Sequence, residues 1–154
     1  MYHFILDGKH QLCIVFCSYT GNSYHILHIF SVILVTSIGC GSSKDATPPS
    51  VYEVLKDVLE QKSKAENVLI KYYTNMNWTI IRPGGLVSEP ETNKAILTED
   101  TTAIGSIHRG DLAGLVVKAL SSKNTEKKIF SAVDPTISSS ANPEGRTAEA
   151  FALA

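Results

Sequence analysis

From Ser31 onward the chain divides into apolar runs separated by short breaks rich in glycine, proline and serine. Val32-Ile33-Leu34-Val35 is a continuous β-branched and aliphatic run, the pattern of a strand buried on both faces, and it feeds the small-residue loop Thr36–Ser43. Behind Pro48-Pro49, Val51, Leu55, Val58, Leu59, Ala65, Val68, Leu69 and Tyr72 recur at helical spacing. Ser50 with Glu53 three residues on predicts a capping box at the start of this helix, which ends near Tyr73–Asn77. The pairs Lys62/Glu66 and Glu60/Lys64 are spaced i, i+4 and are assigned to its wet face. Trp78-Thr79-Ile80-Ile81 then reads as a second buried strand. It stops at Arg82-Pro83-Gly84-Gly85, where proline removes a ladder donor and the glycines let the backbone turn. Strand, helix, strand in that order implies parallel pairing through a crossover.

The pattern weakens on either side. Val87–Lys94 reads as a surface loop, and Ala95–Thr98 and Ala103–Ile107 as short strands around a polar turn. Asp111 sits at the opening of a second helix, where the dipole favours a carboxylate, and Leu112, Leu115, Val116, Ala119 and Leu120 form its apolar face. Lys127–Val133 is a last strand closed by Asp134-Pro135, and the Ser- and Ala-rich tail Thr136–Ala154 has little to bury and is expected to be flexible. Met1–Phe30 has aromatic and aliphatic clumps without a clean period, so no element is assigned there. Three segments result: a leader over 1–30, an α/β unit over 31–135 and a tail over 136–154.

Length and charge narrow the function classes. The 154 residues suffice for one domain with a real core, and a formal net charge of −1 without a basic patch speaks against a nucleic-acid binder. Ile26–Val35 is too short and too polar to cross a bilayer, so no membrane partner is expected. The leader lacks the n-region and unbroken apolar core of a secretory signal, and an intracellular, cytoplasmic setting is the default. Three cysteines in no spaced framework fit a reducing compartment. Cys13-x3-Cys17 with His25-x2-His28 invites a zinc reading, but the spacings are off-pattern and no metal is assigned. Gly39-x-Gly41 suggests a dinucleotide turn, yet Lys44 stands where the third glycine belongs. The sharper signal is Trp78–Leu86, because a parallel strand ending in such a turn either simply closes or lies beside a ligand at the carboxyl edge of a sheet.

The segments Ile33–Gly39, Lys62–Glu66, Trp78–Leu86, Ile96–Asp100 and Ser106–Ala113 together resemble the C-terminal half of atypical short-chain dehydrogenase/reductases, the NmrA-like and biliverdin reductase B-like NAD(P)-binding proteins. Chloroplast and cyanobacterial members are similar, which adds the chloroplast as a possible location of full-length relatives. The resemblance implies an α/β fold, namely a Rossmann-like doubly wound parallel sheet lacking its N-terminal glycine-rich half, and a putative-free assignment as NAD(P)-binding and oxidoreductase-like. It implies NAD or NADP as cofactor, with Thr36, Ser37, Lys62, Arg82, Pro83, Gly84, Gly85 and Leu86 near it. Ser37 takes the place of the active-site serine and Lys62 that of the lysine in the Tyr-x-x-x-Lys pair. The tyrosine position is Val58, so the usual proton donor is missing. Nothing in Met1–Phe30 offers the glycine-rich phosphate turn, so the chain is expected to be a truncated or alternatively started product. The expected alternatives to an oxidoreductase are a non-catalytic binding or regulatory module and a fragment, with a protein partner covering the sheet edge at Val32–Val35.

Overall fold

The computed structural model describes residues 2–7, 12–20, 27–137 and 149–153, with side chains described from Ser31 onward. Eight strands and two α-helices run in the order β1 (Tyr2–Asp7), β2 (Leu12–Thr20), β3 (Leu27–Val35), α1 (Pro49–Tyr72), β4 (Asn77–Pro83), β5 (Gly85–Val87), β6 (Ile96–Thr98), β7 (Ser106–His108), α2 (Arg109–Ser121) and β8 (Lys128–Val133). Six of the strands make one sheet in the order β1-β2-β3-β4-β8-β6, and β5 with β7 makes a small second one. The middle is parallel, β3 to β4 and β4 to β8, as the strand-helix-strand pattern requires. The outer pairings β1–β2, β2–β3 and β6–β8 are antiparallel.

Alternation along β3 builds the layers. Ile33 and Val35 face one side, where with Ile81, Phe130 and Ala132 they meet Leu115, Val116 and Ala119 of α2. Val32 and Leu34 face the other, where with Trp78 and Ile80 they meet Leu69 of α1. A helix on each face of a parallel centre is the doubly wound arrangement, and the α/β Rossmann-like expectation holds.

Several local expectations need correction. No capping box forms: Pro48 is the N-cap without a side-chain bond, and Pro49, whose missing amide costs nothing in the first turn, already belongs to the helix. The buried positions of α1 are Leu59, Lys62, Glu66 and Leu69, whereas Val54 is 82% exposed and Val51, Leu55 and Val58 are also exposed. Lys62 and Glu66 are therefore not on a wet face; polar partners in the adjoining loop draw them inward. Ser106–His108 does not make a hairpin with Ile96–Thr98; it pairs in parallel with Gly85–Val87, and β6 adds antiparallel to β8. The edge of β3 is not free, because Leu12–Thr20 pairs along it and satisfies its amides and carbonyls. The aromatic and β-branched clumps of the leader supply the strand propensity that the missing period concealed. In the tail, Phe151 donates its amide to Leu97 O at 2.7 Å and stacks on Phe130 with ring centroids 4.7 Å apart, so part of that segment has something to bury. Among the described residues no helix is long and apolar enough to cross a membrane.

Phe130 is fully buried at the centre of this core. Phe130→Ala is expected to destabilise the chain by about 3–5 kcal/mol in urea unfolding, and Phe151→Ala, which empties a half-buried position, by less.

Candidate functional site

The carboxyl ends of β3 and β4 continue as two loops tied together by backbone. Thr36 N donates to Ile81 O and Ile38 N to Pro83 O, each at 2.9 Å, so the parallel ladder runs past the end of β3 and anchors the start of its loop on the last residues of β4. Pro83, with no amide, ends β4, and Gly84 N turns to Ala132 O at 3.0 Å. A Cβ on Gly84 would stand 2.2 Å from Gly105 O, so only glycine lets this turn lie against the segment leading into β7.

Between the loops lies a cavity of about 250 Å³ bounded by Ser37, Ile38, Thr47, Pro48, Val51, Leu55, Pro83, Gly84, Gly85 and the stretch Ile104–Ser106. The serine loop and the proline-diglycine turn thus share one rim. Most of the wall is apolar, and hydroxyl groups come from Ser37, Thr47 and Ser106. The Thr47 hydroxyl is buried and has no hydrogen-bond partner. An orphaned buried hydroxyl at the wall of a largely apolar cavity is costly unless something supplies its partner.

The other predicted residues lie beneath the loop, in a buried ionic network. Glu66 takes both ends of the Arg82 fork, Nε to Oε1 at 3.0 Å and Nη2 to Oε2 at 2.7 Å, and it accepts the Thr36 hydroxyl at 2.6 Å. Arg82 Nη1 reaches the Ser42 hydroxyl at 2.9 Å, while Lys62 Nζ donates to Thr36 O at 3.0 Å. Burial holds the Lys62 amine below the ordinary lysine range, with the neighbouring Cys40 acting the other way. Burial likewise pushes the Cys40 thiol up, helped by the Glu66 charge. Gly41, at φ +49°, packs so closely that a Cβ would meet Arg82 Nη2 at 2.5 Å. Gly39-x-Gly41 is therefore not a dinucleotide turn; it lets the loop close over the ion pair.

Of the predicted residues, then, Ser37, Pro83, Gly84 and Gly85 come together on the cavity, and Thr36, Lys62 and Arg82 come together under it. Leu86, 42% exposed, lies in β5 outside the cavity wall. Tyr52 and Tyr72 are absent from that wall too, and Tyr52 packs under the Lys44 ammonium. Glu66 and Thr47 were not foreseen. The i, i+4 spacing from Lys62 pointed to Glu66, but nothing in the pattern indicated that the pair faces inward.

A family model described as NAD(P)H-binding matches residues 26–123. The uncharacterized sugar epimerase YhfK of Bacillus subtilis (strain 168) is 38% identical over 78 residues, 51% of this chain and 35% of that protein. An uncharacterized chloroplastic protein of Arabidopsis thaliana is 37% identical over 76 residues, 49% of this chain and 26% of its own. Among solved structures, ChuY of Escherichia coli CFT073 superposes with a TM-score of 0.65 at 27% identity, covering 70% of this chain and 57% of that one. ChuY of Escherichia coli O157:H7, described as an anaerobillin reductase, gives 0.66 at 26% identity, covering 73% and 53%. The chain spans about half the length of these solved relatives and 26–35% of the curated ones.

Two outcomes check the network. Glu66→Ala strands a buried guanidinium and is expected to cost about 3–5 kcal/mol in urea unfolding, with part of the loss recovered in the Glu66→Ala, Arg82→Met double variant. A lowered Lys62 value means that the unfolded chain holds more protons between that value and about 10.4, so stability rises with pH through this window. Measured as urea midpoints across alkaline pH, the difference between the wild type and Lys62→Met is expected to shift in favour of the wild type as pH rises.

Proposed function

The chain belongs to the NAD(P)H-binding family, and from that premise we propose that it binds the nicotinamide end of NAD or NADP in the cavity between the Ser37 loop and the Pro83-Gly84-Gly85 turn. The observation that carries the reading is the shared rim: parallel strands deliver both loops to the same edge of the sheet, where open α/β sheets take their ligands. At about 250 Å³ the cavity is smaller than the roughly 300 Å³ at which pockets for whole drug-sized ligands begin, which suits one end of a dinucleotide. Thr47 fits the group, since its buried hydroxyl lacks the partner that a carboxamide or ribose oxygen supplies. Ser37 and Ser106 offer two further hydroxyls, while Ile38, Val51, Leu55 and Ile104 exclude water from the ring. When bound, the cofactor supplies hydride chemistry, and the class of reaction is that of an oxidoreductase.

A second reading, a binding or regulatory module without catalysis, is favoured by one specific observation. Lys62 is spent on Thr36 O and Arg82 on Glu66, and among the described residues no phenol lines the cavity. The chain's own residues therefore orient a ligand and keep it dry without presenting an obvious proton donor.

Titration of the full chain with NADPH, followed by cofactor fluorescence, tests the first proposal. A saturable change that Ser37→Phe abolishes by filling the cavity is expected; no saturable change in the wild type overturns cofactor binding. Binding without NADPH oxidation across carbonyl and tetrapyrrole acceptors selects the module.

A further inference from the structure

A second cluster lies at the far end of the β5–β7 pair, where β7, α2 and β8 meet. His108 ends β7, Asp111 is in the first turn of α2 and Asp134 follows β8; all three are buried. His108 Nδ1 is 3.5 Å from Asp111 Oδ2 and 3.9 Å from Asp134 Oδ2, and one donor atom from each residue lies within 4.8 Å of the others. Those separations exceed a good N–H···O bond of about 2.7–3.2 Å, and Nδ1, on a side chain only 9% exposed, has no hydrogen-bond partner. The 3.5 Å separation is close to the edge of a tetrahedron, since ligands held about 2.1 Å from an ion stand roughly 3.4 Å apart, and the 3.9 Å one is wider by half an ångström.

The charges agree. Asp111 accepts the Thr92 amide on Oδ2 at 3.0 Å and the Asn93 amide on Oδ1 at 2.9 Å, and Asp134 Oδ1 accepts the amide and hydroxyl of Thr136 at 2.8 and 2.6 Å. The Thr92 hydroxyl contacts both Oδ2 atoms but has one proton to give. Among the described residues no lysine or arginine makes an ion pair with either carboxylate. Two carboxylate oxygens and an unpartnered imidazole nitrogen thus converge where protons are short, with second partners that fix the carboxylates in place, as ligand sets require. A cavity of about 270 Å³ lined by Glu91, Asn93, Gly110, Asp111 and Lys118 reaches Asp111 from outside.

We propose that His108 Nδ1, Asp111 Oδ2 and Asp134 Oδ2 form a site for a divalent cation of the zinc type. Mixed imidazole and carboxylate donors suit such an ion better than Ca²⁺ or Mg²⁺, which prefer oxygen alone. The site is independent of the cofactor reading.

The test is Zn²⁺ or Co²⁺ alone, added to full-length chain stripped with chelator. One equivalent retained on dialysis is expected, with visible d–d bands from Co²⁺ and no thiolate charge-transfer band, and with affinity roughly 100-fold lower in His108→Gln or Asp134→Asn. On Zn²⁺ addition, amide NMR shifts are expected at Thr92, Asn93 and Thr136, a readout needing no variant. No retained metal, a thiolate band pointing to cysteine ligands, affinity unchanged in folded variants, or amide shifts confined to other segments each overturns the proposal. The last outcome decides even if both variants fail to fold.

Discussion

The buried ion pair between Glu66 and Arg82 is the constraint on which the rest of the carboxyl edge depends. Glu66 comes from the C-terminal third of α1 and Arg82 from the end of β4, so a single bidentate contact ties the helix layer to the sheet. Burying two charges is expensive, and such a pair adds little to net stability compared with a well-packed apolar substitute. Its effect is positional. Glu66 also holds the Thr36 hydroxyl, Arg82 holds Ser42, and Lys62 holds the Thr36 carbonyl, so the loop after β3 has its start and its middle fixed from below. The cavity above that loop has its shape because the network beneath it leaves few alternatives.

Much of the architecture was legible because burial on both faces leaves a plain mark. Val32–Val35 and Trp78–Ile81 could only be central strands, and the helical spacing between them required a crossover. The resemblance to NAD(P)-binding reductases agrees with the family match and with the superposed structures. What the pattern hid was the direction in which polar side chains point. Lys62 and Glu66 read as a solvated i, i+4 pair because charged residues seldom lie inside unless partnered, and their partners, Thr36 and Arg82, are 26 and 16 residues away in sequence. Val51, Leu55 and Val58 read as core for the converse reason.

The same limit applies to the short strands. Three-residue elements such as β5 and β7 have no period to detect; their pairing follows from Gly84 lying against Gly105, a tertiary fact. His108 and Asp111 showed only a helix start, and Asp134 only a strand end before proline. Their convergence depends on β7 and β8 meeting, where Asp134 N donates to Ser106 O at 2.8 Å. Spacing within one element could not have disclosed it.

The two bonds that carry the parallel ladder past the end of β3 anchor the start of the serine loop on β4, while Gly84 N anchors the facing turn on Ala132 O of β8. A guest entering between them would find jaws already set: neither can swing without breaking amide–carbonyl bonds to a central strand. Recognition in such a slot is governed by fit rather than by closure, with little ordering entropy spent on arrival.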